Sequence, residues 1–98
     1  MSRIQLSSWV ERGRRVVRVL GTFDAEAAGL LLEEVRREAE REIVIDVALV
    51  RGLDEVGVAT LARLAGQGAG RRVALRGLST GQHRLLRYLG AGLAELDA

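Results

Sequence analysis

The sequence predicts one α/β domain with the element order β-β-α-β-α-β-α and parallel later strands. Three observations lead there. The chain opens with period-two apolar patterning in "RIQLSSWV" and "RRVVRVLG", which marks half-buried strands. It continues with three- and four-residue apolar spacing in "GTFDAEAAGLLLEEVRREAERE", which marks an amphipathic helix. From there apolar runs and helical patterns alternate through "EIVIDVALV", "RRVALRG" and "STGQHRLLRYLGAG", as β-α repeats do.

The first strand places Ile4, Leu6, Ser8 and Val10 on one face, half-buried, and "ERG" supplies turn residues. Val16, Val17 and Val19 are β-branched and complete a hairpin. Asp24 suits an N-cap, because a carboxylate there accepts from the unpaired amides of the first turn. Ala28, Leu31, Leu32, Val35 and Ala39 form the buried stripe of the first helix, with Glu33 and Arg37 spaced as an i,i+4 pair. "EIVIDVALV" is a nearly continuous apolar run broken by Asp46, the pattern of an interior strand covered on both faces. The second helix starts at Asp54, turns Val58, Leu61, Ala62 and Ala65 inward, and ends at "GQGAG". The third turns Leu85, Leu86 and Leu89 inward and stops at Gly90 and Gly92. "LAELDA" is compatible with a short final edge strand. No repeat or linker divides the chain, so residues 1–98 are expected to form one domain.

Ninety-eight residues lie near the low end of what buries a stable core alone. With 48% hydrophobic residues but only 3% aromatics, that core is aliphatic. The absence of cysteine excludes disulfides and thiolate metal sites, and a single histidine leaves little for a metal centre. No metal or cofactor is expected. All 15 basic residues are arginine and the net charge is only +2. Arg12, Arg14, Arg15 and Arg18 form a dense run at the hairpin, but the stacking aromatics of a nucleic-acid surface are missing. No apolar run approaches the ~18 residues of a membrane span, and "MSRIQLSSWV" lacks the apolar core of a signal peptide. A cytoplasmic protein is the expectation.

"GLSTG", Gly77 to Gly81, reads as a G-x-S-x-G nucleophile elbow with Ser79 as the nucleophile. A triad cannot be completed around it. The one histidine, His83, lies four residues later on the same helix, no acid stands between them, and Glu95 and Asp97 sit in the tail. Ser79 or Thr80 as a helix cap is the preferred reading, and no enzyme is expected. Asp46, near the carboxyl end of its strand, has two readings. It lines a ligand pocket of the kind α/β sheets form there, or it hydrogen-bonds nearby backbone and holds the loop before Asp54. The second is preferred. "GQGAG" lacks the context and lysine of a phosphate loop.

"VRVLGTFDAEAAGLLLEEV", "IVIDVALVRGLDEVGVATLARL" and "RRVALRGLSTGQHRLLRYLGAGL" together resemble a STAS domain, the fold of bacterial anti-sigma factor antagonists. The resemblance covers about residues 14 to 93 and is most specific in "GTFD", "IDV" and the Asp-x-x-Gly loop before the second helix. It implies a mixed sheet of four or five strands with three helices packed mainly on one side, here without the family's usual C-terminal helix. It also implies a protein-binding surface around the second helix. In the antagonists that loop reads Asp-Ser-Ser-Gly, and a partner kinase, itself an anti-sigma factor, phosphorylates the serine before the glycine. Phosphate there abolishes docking through charge and desolvation.

Asp54 and Gly57 match this motif, while Glu55 and Val56 replace the serines. Val56 cannot accept phosphate, and Glu55 stands one position too early to mimic it. The resemblance implies partner contacts from Asp24, Asp54, Glu55, Val56, Gly57 and Thr60. On cap preference alone Asp54 is an N-cap, which is compatible with docking. Thr60 reads as an ordinary helix-surface threonine or as an alternative acceptor. The expected protein is a non-enzymatic bacterial regulator of transcription whose partner is an anti-sigma factor kinase. The alternatives are a regulatory subunit docking on the ATPase of a phospholipid-trafficking ABC transporter and a stressosome-like scaffold subunit. An exposed edge strand is open to completion by a partner or by a second copy in a homodimer.

Overall fold

The computed structural model describes residues 4–53, 55–64 and 72–89. Its element order is β1 (Ile4–Glu11), β2 (Arg14–Phe23), α1 (Ala25–Arg37), β3 (Glu42–Leu53), α2 (Glu55–Leu64), β4 (Arg72–Arg76) and α3 (Thr80–Tyr88). The strands form one mixed sheet in the order β1-β2-β3-β4. β1 runs antiparallel to β2, and the β2–β3 and β3–β4 pairs are parallel. This is the expected α/β architecture with its three helices. The tail that suggested a fifth strand, and the Gly66–Gly70 stretch, lie outside the described residues.

Arg12 and Gly13 both take positive φ, 52° and 79°, and Glu11 pairs with Arg14. A two-residue turn of that shape matches the right-handed twist of the strands it joins. Strand alternation then sorts the residues. Val17 and Val19 of β2, Ile43 and Ile45 of β3, and Val73 and Leu75 of β4 pack with Leu31 and Val35 of α1, Val58 and Leu61 of α2, and Leu86 of α3 in one buried cluster. All three helices therefore lie on the same face, with α2 packed between α1 and α3.

The opposite face carries two cross-strand rows, Trp9–Val16–Val44–Ala74 and Ser7–Arg18–Asp46–Arg76. Val16 and Val44 are as buried as the main core. From its own row Arg76 reaches Glu11 at 2.8 Å, so its side chain crosses over the valine row. Arg18 stacks on the Trp9 ring at 5.0 Å. Long polar side chains thus shelter aliphatic ones beneath their stems.

Several expectations need correction. α1 ends at Arg37, so Ala39 falls beyond the helix and is exposed. The reason lies in Arg15, which draws Glu38 and Glu40 towards β2 at 3.1 and 2.8 Å and turns the chain towards β3. Arg37 pairs with Glu34 at 2.8 Å, one residue nearer than the expected Glu33. On α3 only Leu86 is buried, while Leu85 and Leu89 are 45% and 47% exposed. A nine-residue helix over the short strand β4 offers the sheet a single inward row. On β1, Leu6 is half-buried but Ser8 and Val10 are exposed, because β1 is the sheet edge and the helices sit over its centre.

Candidate functional site

Two loops meet at the carboxyl ends of the parallel strands β2 and β3. The first is "GTFD". Gly21 has φ of 101°, and the β2–β3 register shifts on both sides of it. Those irregularities accompany a fully buried Phe23 at the end of β2. The next residue, Asp24, caps α1, its Oδ1 accepting from the Ala27 amide at 3.0 Å. The N-cap expected for Asp24 is present.

The second loop leads from β3 into α2. Asp54 lies outside the described residues, so neither its cap nor its place in the surface is described. Glu55 and Val56 point outward, with Val56 49% exposed. Gly57 is buried against Phe23: a Cβ on Gly57 would stand 2.7 Å from the Phe23 carbonyl oxygen and 3.0 Å from Leu53 Cδ1. Glycine here permits a close approach of helix to strand. Thr60 is buried too, and its hydroxyl donates to the Val56 carbonyl at 2.8 Å. The expectation of a surface threonine is corrected, since the hydroxyl faces inward with its donor already satisfied.

The site residues therefore divide. Glu55 and Val56, followed by Ala59 and Arg63, form the outward strip of α2. Gly57 and Thr60 can act on a partner only through the shape they impose. Asp24 belongs to the neighbouring loop, with its carboxylate engaged in the cap.

Asp46 sits on the face away from this surface. Its Oδ1 accepts from the Ala48 amide at 3.0 Å, and its Oδ2 accepts from Arg18 and Arg76 at 3.0 and 3.2 Å. Burial pushes its carboxyl pKa up, but the Ala48 amide and the two guanidiniums outweigh that and hold it below the ordinary aspartate value. The bond to nearby backbone matches the expectation; the two arginines lie outside it. Only the β2–β3–β4 register, which sets Arg18, Asp46 and Arg76 in one row, could have pointed to them. Glu11 is likewise lowered, chiefly by its hydrogen bond from Arg76. Arg15 and Arg18 of the hairpin run are thus neutralised by the chain's own carboxylates.

At "GLSTG" the geometry is that of a cap. Ser79 Oγ accepts from the Gln82 amide at 3.1 Å, and Gln82 Oε1 accepts from the Ser79 amide at 2.9 Å, a reciprocal capping box. Gly77, with φ of 82°, packs where a Cβ would meet the Ala48 backbone nitrogen at 2.7 Å. Among the described residues no group of three or more His, Asp or Glu side chains is placed to hold a metal ion, and no helix is long and apolar enough to cross a membrane.

A hairpin-led mixed sheet with one helical layer, and a glycine-seated helix at the ends of its parallel strands, defines a single-faced α/β domain. The family model described as "Mlab, STAS domain" matches residues 10–94. The chain belongs to the STAS family. Among solved structures, a serine-to-glutamate variant of RsbS from Moorella thermoacetica superposes with a TM-score of 0.66 at 21% identity, over 95% of this chain and 84% of that one. That likeness shows the fold. No curated protein matches the chain significantly.

Proposed function

We propose that this chain is a non-enzymatic docking domain, similar to anti-sigma factor antagonists, which binds a regulatory protein through the loop Asp54–Gly57 and the outward strip of α2 without phosphorylation at the family's usual position. One observation carries the reading. Val56, at the position that the family resemblance aligns with the phosphoacceptor, faces solvent at 49% exposure and carries no hydroxyl. The surface can be covered by a partner, while the switch that phosphate provides elsewhere is missing. Control then rests with the partner or with protein level.

Genes beside this one for sigma and anti-sigma factors would supply the candidate partner, an anti-sigma factor kinase. Titration calorimetry with that purified protein tests the reading. Val56→Arg is expected to weaken binding by about tenfold or more, since a charge is buried against the partner, with the melting temperature unchanged. Intact mass after incubation with the kinase and ATP is expected to show no added phosphate. Binding unaffected by Val56→Arg, or phosphate placed within residues 54–60, would overturn it.

A second reading is favoured by the matched family's own description as Mlab. STAS-like proteins also serve phospholipid-trafficking ABC transporters by docking on the ATPase subunit. ABC ATPase and permease genes in the neighbourhood, and loss of ATPase-subunit binding on the same Val56→Arg substitution, would select it.

A further inference from the structure

The two edges of the sheet are built differently. β4 is five residues long and is bounded by Arg72 and Arg76. Short length and terminal charge are the ordinary protections of an edge strand. β1 is less protected. It runs for eight residues as "IQLSSWVE", with no proline, no basic residue and one charge at its very end. Its pairing with β2 continues from Ile4↔Gly21 to Glu11↔Arg14 without a bulge. Among the described residues β2 is its sole neighbour. Alternate amides and carbonyls along β1 therefore point away from the sheet as a ready template for another strand.

We propose that β1 is a homodimerisation edge, pairing antiparallel with β1 of a second copy to give a continuous eight-stranded sheet. Alternation restricts the register. A two-fold axis normal to the sheet keeps helix-facing residues on the helix face in both copies, so even-numbered residues oppose even-numbered ones. Of the two registers nearest the strand centre, the one centred on Ser8 sets half-buried Leu6 against Val10 of the second copy, and repeats that pair on the other side of the axis. Val10 is 54% exposed in the single chain, and this pairing covers it twice. The alternative centre, Ser7, sets Val10 against Ile4 of the second copy but opposes Leu6 with a serine. A second copy satisfies the edge with matched apolar pairs, where a foreign strand has no such built-in match.

The interface is small and sets the Arg15–Glu38 pair beside Ser8 near the axis, so the dimer belongs to the weak, concentration-dependent class. The axis direction leaves both helical layers on the same side, so the two α2 strips face one way and can engage a two-fold symmetric partner together. The dimer itself does not depend on what α2 binds.

Sedimentation over a concentration series tests this, read alongside the emission of Trp9, the only tryptophan and itself on β1. The mass is expected to rise with concentration from 10.6 kDa towards twice that value, and the Trp9 emission to move in step. Val10→Glu is expected to raise the dimer dissociation constant about tenfold or more by setting a carboxylate against Leu6 of the second copy. The same carboxylate faces Arg15 within the chain, so the monomer should melt no lower than wild type. Tyr88→Glu, on the exposed side of α3, should leave dimerisation unchanged. A mass that stays at 10.6 kDa throughout, association insensitive to Val10→Glu, or association abolished by Tyr88→Glu would each overturn the proposal.

Discussion

Gly57 and Gly29 are both helical glycines, and they should respond to the same substitution with opposite signs. Replacing a helical glycine by alanine ordinarily gains up to about 1 kcal/mol, because glycine loses more backbone freedom on folding. At Gly29, in the middle of α1, an added Cβ meets nothing within 4 Å, so the gain should appear nearly whole. At Gly57 the added methyl stands 2.7 Å from the Phe23 carbonyl oxygen and 3.0 Å from Leu53 Cδ1. The carbonyl oxygen is backbone and cannot rotate away, and the Phe23 ring, which the methyl meets more closely still, is fully buried. Overpacking of this kind costs about 1–3 kcal/mol, and the upper end applies where main chain must shift. The helical gain is also smaller in a first turn. The net expectation is a loss of about 2 kcal/mol for Gly57→Ala and a gain of about 0.5–1 kcal/mol for Gly29→Ala. For a domain of this size 1 kcal/mol moves the melting temperature by about 4–8 °C, so the two variants should straddle wild type by an easily resolved margin in calorimetry. A Gly57→Ala protein that melts at or above Gly29→Ala would refute the claim that close packing, and not helix propensity, fixes glycine at the start of α2.

Asp46→Asn keeps an acceptor for the Ala48 amide but removes the charge facing Arg18 and Arg76. Breaking a buried pair costs about 3–5 kcal/mol, and the half-exposed arginines reduce that to about 1–2 kcal/mol here. The folded carboxyl pKa is depressed, so its contribution is fully present above the unfolded value of about 3.9 and disappears as pH falls through the lower folded value. Urea titrations should show a constant gap between wild type and Asp46→Asn at neutral and mildly acidic pH, closing only under strongly acid conditions; a gap that closes near neutrality contradicts the network. Ser79→Ala should cost about 1 kcal/mol by removing the α3 cap, with Ser79→Gly costing only a few tenths, as read by thermal denaturation. Neither should alter hydrolysis of a p-nitrophenyl ester relative to wild type.

How much was legible follows from what each feature depends on. The hairpin, the alternation of strands and helices, and the Asp24 cap rest on residues within a few positions of one another, and local pattern reads them well. Burial of Leu85 and Leu89 did not follow from pattern, because their spacing on α3 is apolar but the sheet beneath is only a short edge strand. The end of α1 was missed for a related reason. "REAERE" is good helical sequence, and the competitor, Arg15, lies more than twenty residues earlier in the chain. The carboxylate network of Asp46 likewise needed the β2–β3–β4 register before Arg18 and Arg76 could be seen beside it. At the candidate surface, the motif identified the loop but not its sidedness. Nothing in "DEVGVAT" alone shows that Val56 faces solvent while Thr60 faces the core.

Under the proposed function, that sidedness lets the loop lack an acceptor and keep its form. Shape is carried by inward groups: Phe23 at the end of β2, Gly57 seated on it, and Thr60 bonded back to the Val56 carbonyl. The position that the proposed function aligns with the antagonists' acceptor is an outward one, half-exposed Val56. An outward side chain on a helix does little to set backbone geometry, so valine, serine or a larger residue at that point leaves the seat of α2 unchanged. Substitution there alters what can be done to the surface and what it can bind, while substitution one residue later alters whether the surface exists. The two adjacent positions are therefore physically independent, and on the proposed reading phosphate control is absent through a single outward side chain without any rebuilding of the platform beneath it.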